Sequence, residues 1–99
     1  MIKVDYDNTR ACARKLSRAA DTCRQMNSSA TKLIGEISSC WQGKSATAFA
    51  SELTKWKKET ESIQKELLSL SSKIVRIADE FEAAEERLAA EAKQTSSNE

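Results

Sequence analysis

The sequence contains no histidine and no proline, and only two glycines and three cysteines in 99 residues. Without histidine, the commonest general base and metal ligand is missing. Cys12, Cys23 and Cys40 are 11 and 17 residues apart, which matches no zinc or redox motif. Carboxylates are plentiful, but nothing in their spacing suggests a concave pocket that would hold a catalytic pair. No enzymatic activity, cofactor or metal is therefore expected. An excess of one charge is also missing. Lys and Arg number 16 against 15 Asp and Glu, a net +1, where a general nucleic-acid binder carries a clear basic surplus. Residues 1–7 lack the uninterrupted apolar stretch of a secretory signal, and no run reaches transmembrane length. These absences predict a protein that stays in the cytoplasm or leaves it by a route that ignores such signals.

What the sequence does have is a repeat. Cys12, Leu16, Ala19, Cys23, Met26, Ala30, Leu33, Ile37 and Cys40 are spaced alternately four and three apart. After Trp41-Gln42-Gly43 the spacing resumes through Phe49, Leu53, Trp56, Thr60, Ile63, Leu67, Leu70, Ile74, Ile77, Phe81, Ala84 and Leu88, with only Thr60 polar. Each run lays one stripe along an α-helix, the pattern of bundle and coiled-coil seams. The tripeptide is the only plausible break, because no proline interrupts either run. The fold predicted is all-α: an antiparallel helical hairpin with helices over about 5–41 and 46–92. The turn occupies 41–45, and 93–99 form a flexible tail without apolar anchors. Asp5 is placed to cap the first helix, with Asp7 adding negative charge in its first turn. Gly43 can adopt the left-handed conformation that ends that helix, and Ser45 is a candidate N-cap for the second.

Two helices cannot enclose a core, so a lone hairpin leaves apolar surface wet and calls for a partner. Ala13, Ala20, Ile34 and Trp41 flank the helix 1 seam on one side, where a single neighbouring helix would not cover them. Leu68 and Val75 flank the seam of helix 2. The simplest solution is a second hairpin completing a four-helix bundle. The residues assigned to the shared dimer and core seam are Leu16, Cys23, Leu33, Ile34, Ile37, Leu53, Trp56, Ile63, Leu67, Leu70, Ile74 and Ile77. The cysteines are read as small packing residues, with a bridge between subunits as the alternative. Residues 9–32 carry six basic side chains against Asp21, and residues 79–91 carry six acids against Arg87. Folding back at Gly43 sets Arg10 and Arg14 beside Asp79 and Glu80, so the basic block has internal partners. The second helix then projects by about ten residues, with Phe81 near the edge and Glu85 just past it.

A Trp-x-Gly turn near the middle of a helical chain of this length resembles the WXG family of small type VII secretion (ESAT-like) proteins. Ala46 and Phe49 open the second helix as in that family. Phe81-Glu82-Ala83-Ala84-Glu85 is similar to the family's second signature, a Tyr followed after three residues by an acid, with phenylalanine in place of tyrosine. The resemblance implies a non-enzymatic hairpin that dimerises as an antiparallel four-helix bundle, with itself or with a related chain. It implies export by an FtsK/SpoIIIE-type ATPase without a cleavable signal peptide, from a cytoplasmic pool. Carried over, Trp41 and Gly43 of one chain and Phe81 and Glu85 of the other form a bipartite export signal. Phe81 lacks the tyrosine hydroxyl, so a partner that supplies it is one consequence.

Each feature also has a plainer role. Trp41 can close the end of a bundle, Trp56 and Phe81 can be core, and one surface glutamate such as Glu85 can simply be solvated. Lys55, Lys57 and Lys58 followed by Glu59 and Glu61 read as a salt-bridge-laced face. A cytosolic adaptor that pairs with a larger toxin client and supplies its export signal is the competing function. A membrane role is set aside because both apolar faces are committed to packing.

Overall fold

The computed structural model describes residues 5–97, and within them two helices: α1, Tyr6–Cys40, and α2, Lys44–Ser97. They form a rod of 85 × 18 × 15 Å. Asn98 and Glu99 of the expected tail lie outside the described residues. The antiparallel hairpin is thus the fold, set by two heptad runs and one break.

Local chemistry fixes the ends of α1. Asp5 caps it as expected: its Oδ1 accepts from the Asn8 N–H at 3.0 Å, and its carbonyl accepts from the Thr9 N–H. At the other end Trp41 is extended, and its N–H donates to the Ile37 carbonyl at 2.8 Å. Gly43 has a φ of 112°, where only glycine is unstrained, and this turns the chain directly into α2. The Gly43 carbonyl accepts from both the N–H and the hydroxyl of Thr47. Ser45 therefore lies inside the first turn, not at the cap, because the glycine starts the helix earlier than the serine would. The far end also differs from expectation. Helix α2 passes residue 92 and continues to Ser97, since neither proline nor glycine stops it.

The packing between the helices reverses one sequence expectation. The residues α2 covers best on α1 are Ala13 and Ala20, each 1% exposed, flanked by Tyr6, Asn27 and Ala30. Their counterparts on α2 are Ala46, Thr60 and Ala78. The flank that a single neighbour was expected to miss is the one it occupies, with Ile34 half-buried beside it. Small residues explain the choice, because they let two backbones approach closely and satisfy polar groups across the gap. The Ser71 hydroxyl donates to the Ala13 carbonyl at 2.7 Å.

The large apolar residues of the expected seam consequently split. Leu16, Cys23, Ile37, Leu53, Leu67 and Ile74 are half-buried along the edge of the hairpin interface. Met26, Leu33, Phe49, Trp56, Ile63, Leu70 and Ile77 are exposed, from 37% at Trp56 to 50% at Ile63. Cys12 and Cys40 are exposed as well, so neither packs within this chain, while Cys23 is half-buried. Met26, Leu33, Leu53 and Trp56 line one groove, which shows that the open rows of both helices share a face. Ala20, Arg24, Gln64 and Leu68 line a groove on the opposite side, where Val75 follows Leu68 by one heptad.

Candidate interaction surface

Three features of the rod can engage another molecule: the turn, the far end and the open face between them. At the turn, the Trp41 and Phe49 rings sit 6.1 Å apart at 44°, within the range of favourable aromatic pairs. Trp41 is still 43% exposed, and with Ile37, Gln42, Gly43, Ala46 and Ala50 it borders a shallow groove. The ring closes the end of the hairpin and also presents a surface.

At the far end the start of α1 is clamped to α2. Arg10 donates through Nε and Nη2 to Asp79 Oδ1 at 3.2 and 2.8 Å, and through Nη2 to Glu82 Oε1 at 2.9 Å. Asp7 stands 3.9 Å from the same guanidinium. Hydrogen bonds to Glu82 and Asp79 push the Arg10 pKa further up, against its partial desolvation. The expected Arg10–Asp79 pairing is present. Arg14 is exposed, and Glu80 instead lies 4.0 Å from Arg76 on its own helix. Among the described residues the ion pairs between α1 and α2 all run through Arg10, so the two charge blocks meet at one point. The lysine cluster on α2 differs too, with Lys55 reaching back to Glu52 at 3.4 Å.

Tyr6 is the residue that sequence reasoning missed. It is buried at the end of α1, with its phenol beside the Glu85 carboxylate. Burial first, then the Glu85 hydrogen bond and the charges of Glu85 and Glu82, raise its pKa to about 12, with Arg10 pulling the other way. Glu85 is exposed but has a partner on the other helix. One turn before it, Phe81 is 60% exposed. Beyond it, residues 86–97 extend past the end of α1, with Leu88 61% exposed.

Trp41 and Gly43 therefore stand at one end of the rod and Phe81 and Glu85 near the other. About 38 helical residues separate them, roughly 55 Å, so one hairpin cannot bring them together. Along that length the exposed row of Phe49, Trp56, Ile63, Leu70 and Ile77 runs on one face beside Met26 and Leu33. Full burial of such a side chain is worth about 1.5–3 kcal/mol, so the face strongly favours a partner. Among the described residues no cluster of His, Cys, Asp or Glu could hold a metal ion, and no helix is long and apolar enough to cross a membrane.

The chain matches the WXG100 family, described as proteins of 100 residues with WXG, over residues 1–86. No curated protein matches it.

Proposed function

The chain belongs to the WXG100 family, and from that premise we propose that it is a small non-enzymatic protein exported by a type VII secretion system, acting as a dimer through protein–protein contacts. The observation that carries this reading is the open apolar face, bounded by the Trp41–Gly43 turn at one end and Phe81 and Glu85 near the other. A second hairpin laid on that face with its turn at the opposite end covers both rows in a four-helix bundle. It also sets the turn of each chain beside the Phe81–Glu85 stretch of its partner. The bipartite signal is then assembled only in the dimer, which makes export conditional on correct pairing.

The FtsK/SpoIIIE-type ATPase is the partner for that composite surface. Phe81 supplies an exposed ring and Glu85 a carboxylate, one helical turn apart. Tyr6 brings a phenol hydroxyl to Glu85 from the other helix, so the neighbourhood of Phe81 does not lack the group that its own ring is missing.

Culture supernatants of cells with and without the secretion ATPase test the reading. ATPase-dependent release of the protein, lost on Phe81→Ala and Glu85→Ala, is the expected result. Normal export of both variants would overturn the assignment of the signal. Retention in the cell while related substrates are released would overturn export altogether.

A further inference from the structure

Cys12 and Cys40 are both exposed, and both stand in the row of α1 that α2 leaves open. That row is Cys12, Ala19, Met26, Leu33 and Cys40, one residue per heptad, with Met26 at its midpoint. The cysteines are separated by 28 residues of one helix, roughly 42 Å at 1.5 Å per residue, whereas a disulfide needs Cα atoms within about 7 Å. They cannot meet within a chain.

A second copy changes this. Two hairpins stacked face to face, with turns at opposite ends, are related by a twofold axis lying between them at right angles to the helices. That operation sets α1 against α1 of the copy, antiparallel, and α2 against α2. With the axis at Met26, position 12 meets position 40 of the copy, and position 19 meets 33. Small Ala19 then faces large Leu33, and Lys15 comes within one residue of the level of Glu36 of the copy, a pair of opposite charge flanking the row. The hairpin's own register supplies an independent check. Ser71 reaches Ala13, and Met26 shares a groove with Trp56, so Met26 stands level with about Lys58. An axis between Glu59 and Thr60, within about two residues of that level, sets Trp56 against Ile63 of the copy and Phe49 against Leu70. One axis therefore serves both helices.

We propose that the open face is occupied by a second copy of this chain in antiparallel register about Met26, and that Cys12 of each copy forms a disulfide with Cys40 of the other. This rests on the dimer reading above and adds its register and a covalent lock. The oxidant is a low-molecular-weight disulfide, met outside the reducing cytoplasm. The Cys12 thiolate attacks one of its sulfurs and releases one small thiol. The Cys40 thiolate of the copy then attacks the mixed disulfide at Cys12 and releases the second. For each bridge, two thiol protons and two electrons leave with the two small thiols. Cys23, half-buried and level with Ser29 of the copy, has no cysteine to meet and stays reduced.

The test uses the purified full chain. It is sized with reductant present, then treated with oxidised glutathione, separated on a non-reducing gel and mapped by peptide mass. The expected result is a dimer with reductant and, after oxidation, a band at twice the chain mass carrying the Cys12–Cys40 peptide pair. Cys12→Ser and Cys40→Ser each lose that band when assayed alone. Mixed in equal amounts, the two variants regain it in about half of the dimers, because random pairing leaves one complementary pair in each mixed dimer. A reduced dimer that yields Cys12–Cys12 or Cys40–Cys40 peptides, or no cross-link, overturns the register and leaves the dimer reading standing. A monomer under reducing conditions overturns the dimer reading and this proposal together.

Discussion

The Ser71 hydroxyl donates to the Ala13 carbonyl at 2.7 Å, a hydrogen bond from a side chain of one helix to the backbone of the other. It requires a closely approached seam, and that seam is built from Ala13, Ala20, Ala30, Ala46 and Ala78. The stability of the hairpin and its association consequently reside on different faces. Ala13→Leu or Ala20→Leu, which force extra bulk between the helices, are expected to destabilise the fold by about 1–3 kcal/mol, read by chemical denaturation at fixed protein concentration. Trp56→Ala, on the open face, is expected instead to weaken self-association in sedimentation while leaving the helicity of the diluted chain unchanged. Equal effects of the two kinds of substitution on helicity would contradict this division.

Much of this was legible in the sequence, and the reasons divide by scale. The heptad runs and the single break at Trp41-Gln42-Gly43 dictate a hairpin, and counting back from Gly43 brings Arg10 to within about one turn of Asp79, its partner in the structure. Asp5 as a cap followed from its residue type. The side of the stripe that meets α2 was not legible, because Ala13 and Ala20 widen the apolar arc of α1 and spacing alone does not say which edge is used. The contact of Tyr6 with Glu85 depends on the last turn of register between two long helices, beyond what counting resolves. The end of α2 carries no stop signal, so composition could not place it.

The two glycines should respond oppositely to the same substitution. Neither has an atom within 4 Å of where a Cβ would sit, so packing does not enter. Gly35 lies inside α1, where Ala lowers the entropy lost on folding, and Gly35→Ala is expected to stabilise by about 0.5–1 kcal/mol. Gly43 has a φ of +112°, which an L side chain rarely adopts, and Gly43→Ala is expected to destabilise by about 1–3 kcal/mol. Thermal melts of the two variants beside the parent check both signs at once.

Asn27 sits in the alanine seam at 8% exposure, and its Oδ1 is buried without a hydrogen-bond partner. An orphaned acceptor of this kind costs about 1–3 kcal/mol of stability. Asn27→Ala, matching its neighbours Ala20 and Ala30, is accordingly expected to raise the denaturation midpoint despite the loss of side-chain volume. Asn27→Asp, which buries a charge at the same place, is expected to lower it well below the parent. A parent midpoint above both would mean that the amide is satisfied in solution.

Tyr6 is the single tyrosine of the chain, so its ionisation can be followed by ultraviolet absorbance without interference from another phenol. Its pKa is raised from 10.0 to about 12 by burial and by the Glu85 hydrogen bond. A folded-state pKa above the unfolded value means that the folded chain holds this proton more tightly. The corresponding stabilisation is fully present below about pH 10 and is lost as pH rises through about 12. The absorbance midpoint is expected near 12 in the native chain and to fall towards 10 in denaturant. Tyr6→Phe should remove this contribution to the alkaline loss of stability. Glu85→Gln should bring the midpoint down part of the way, since burial remains and the negative charge does not. A native midpoint near 10 would show that the phenol is not held against Glu85, and the clamp at the end of α1 would then rest on Arg10 alone.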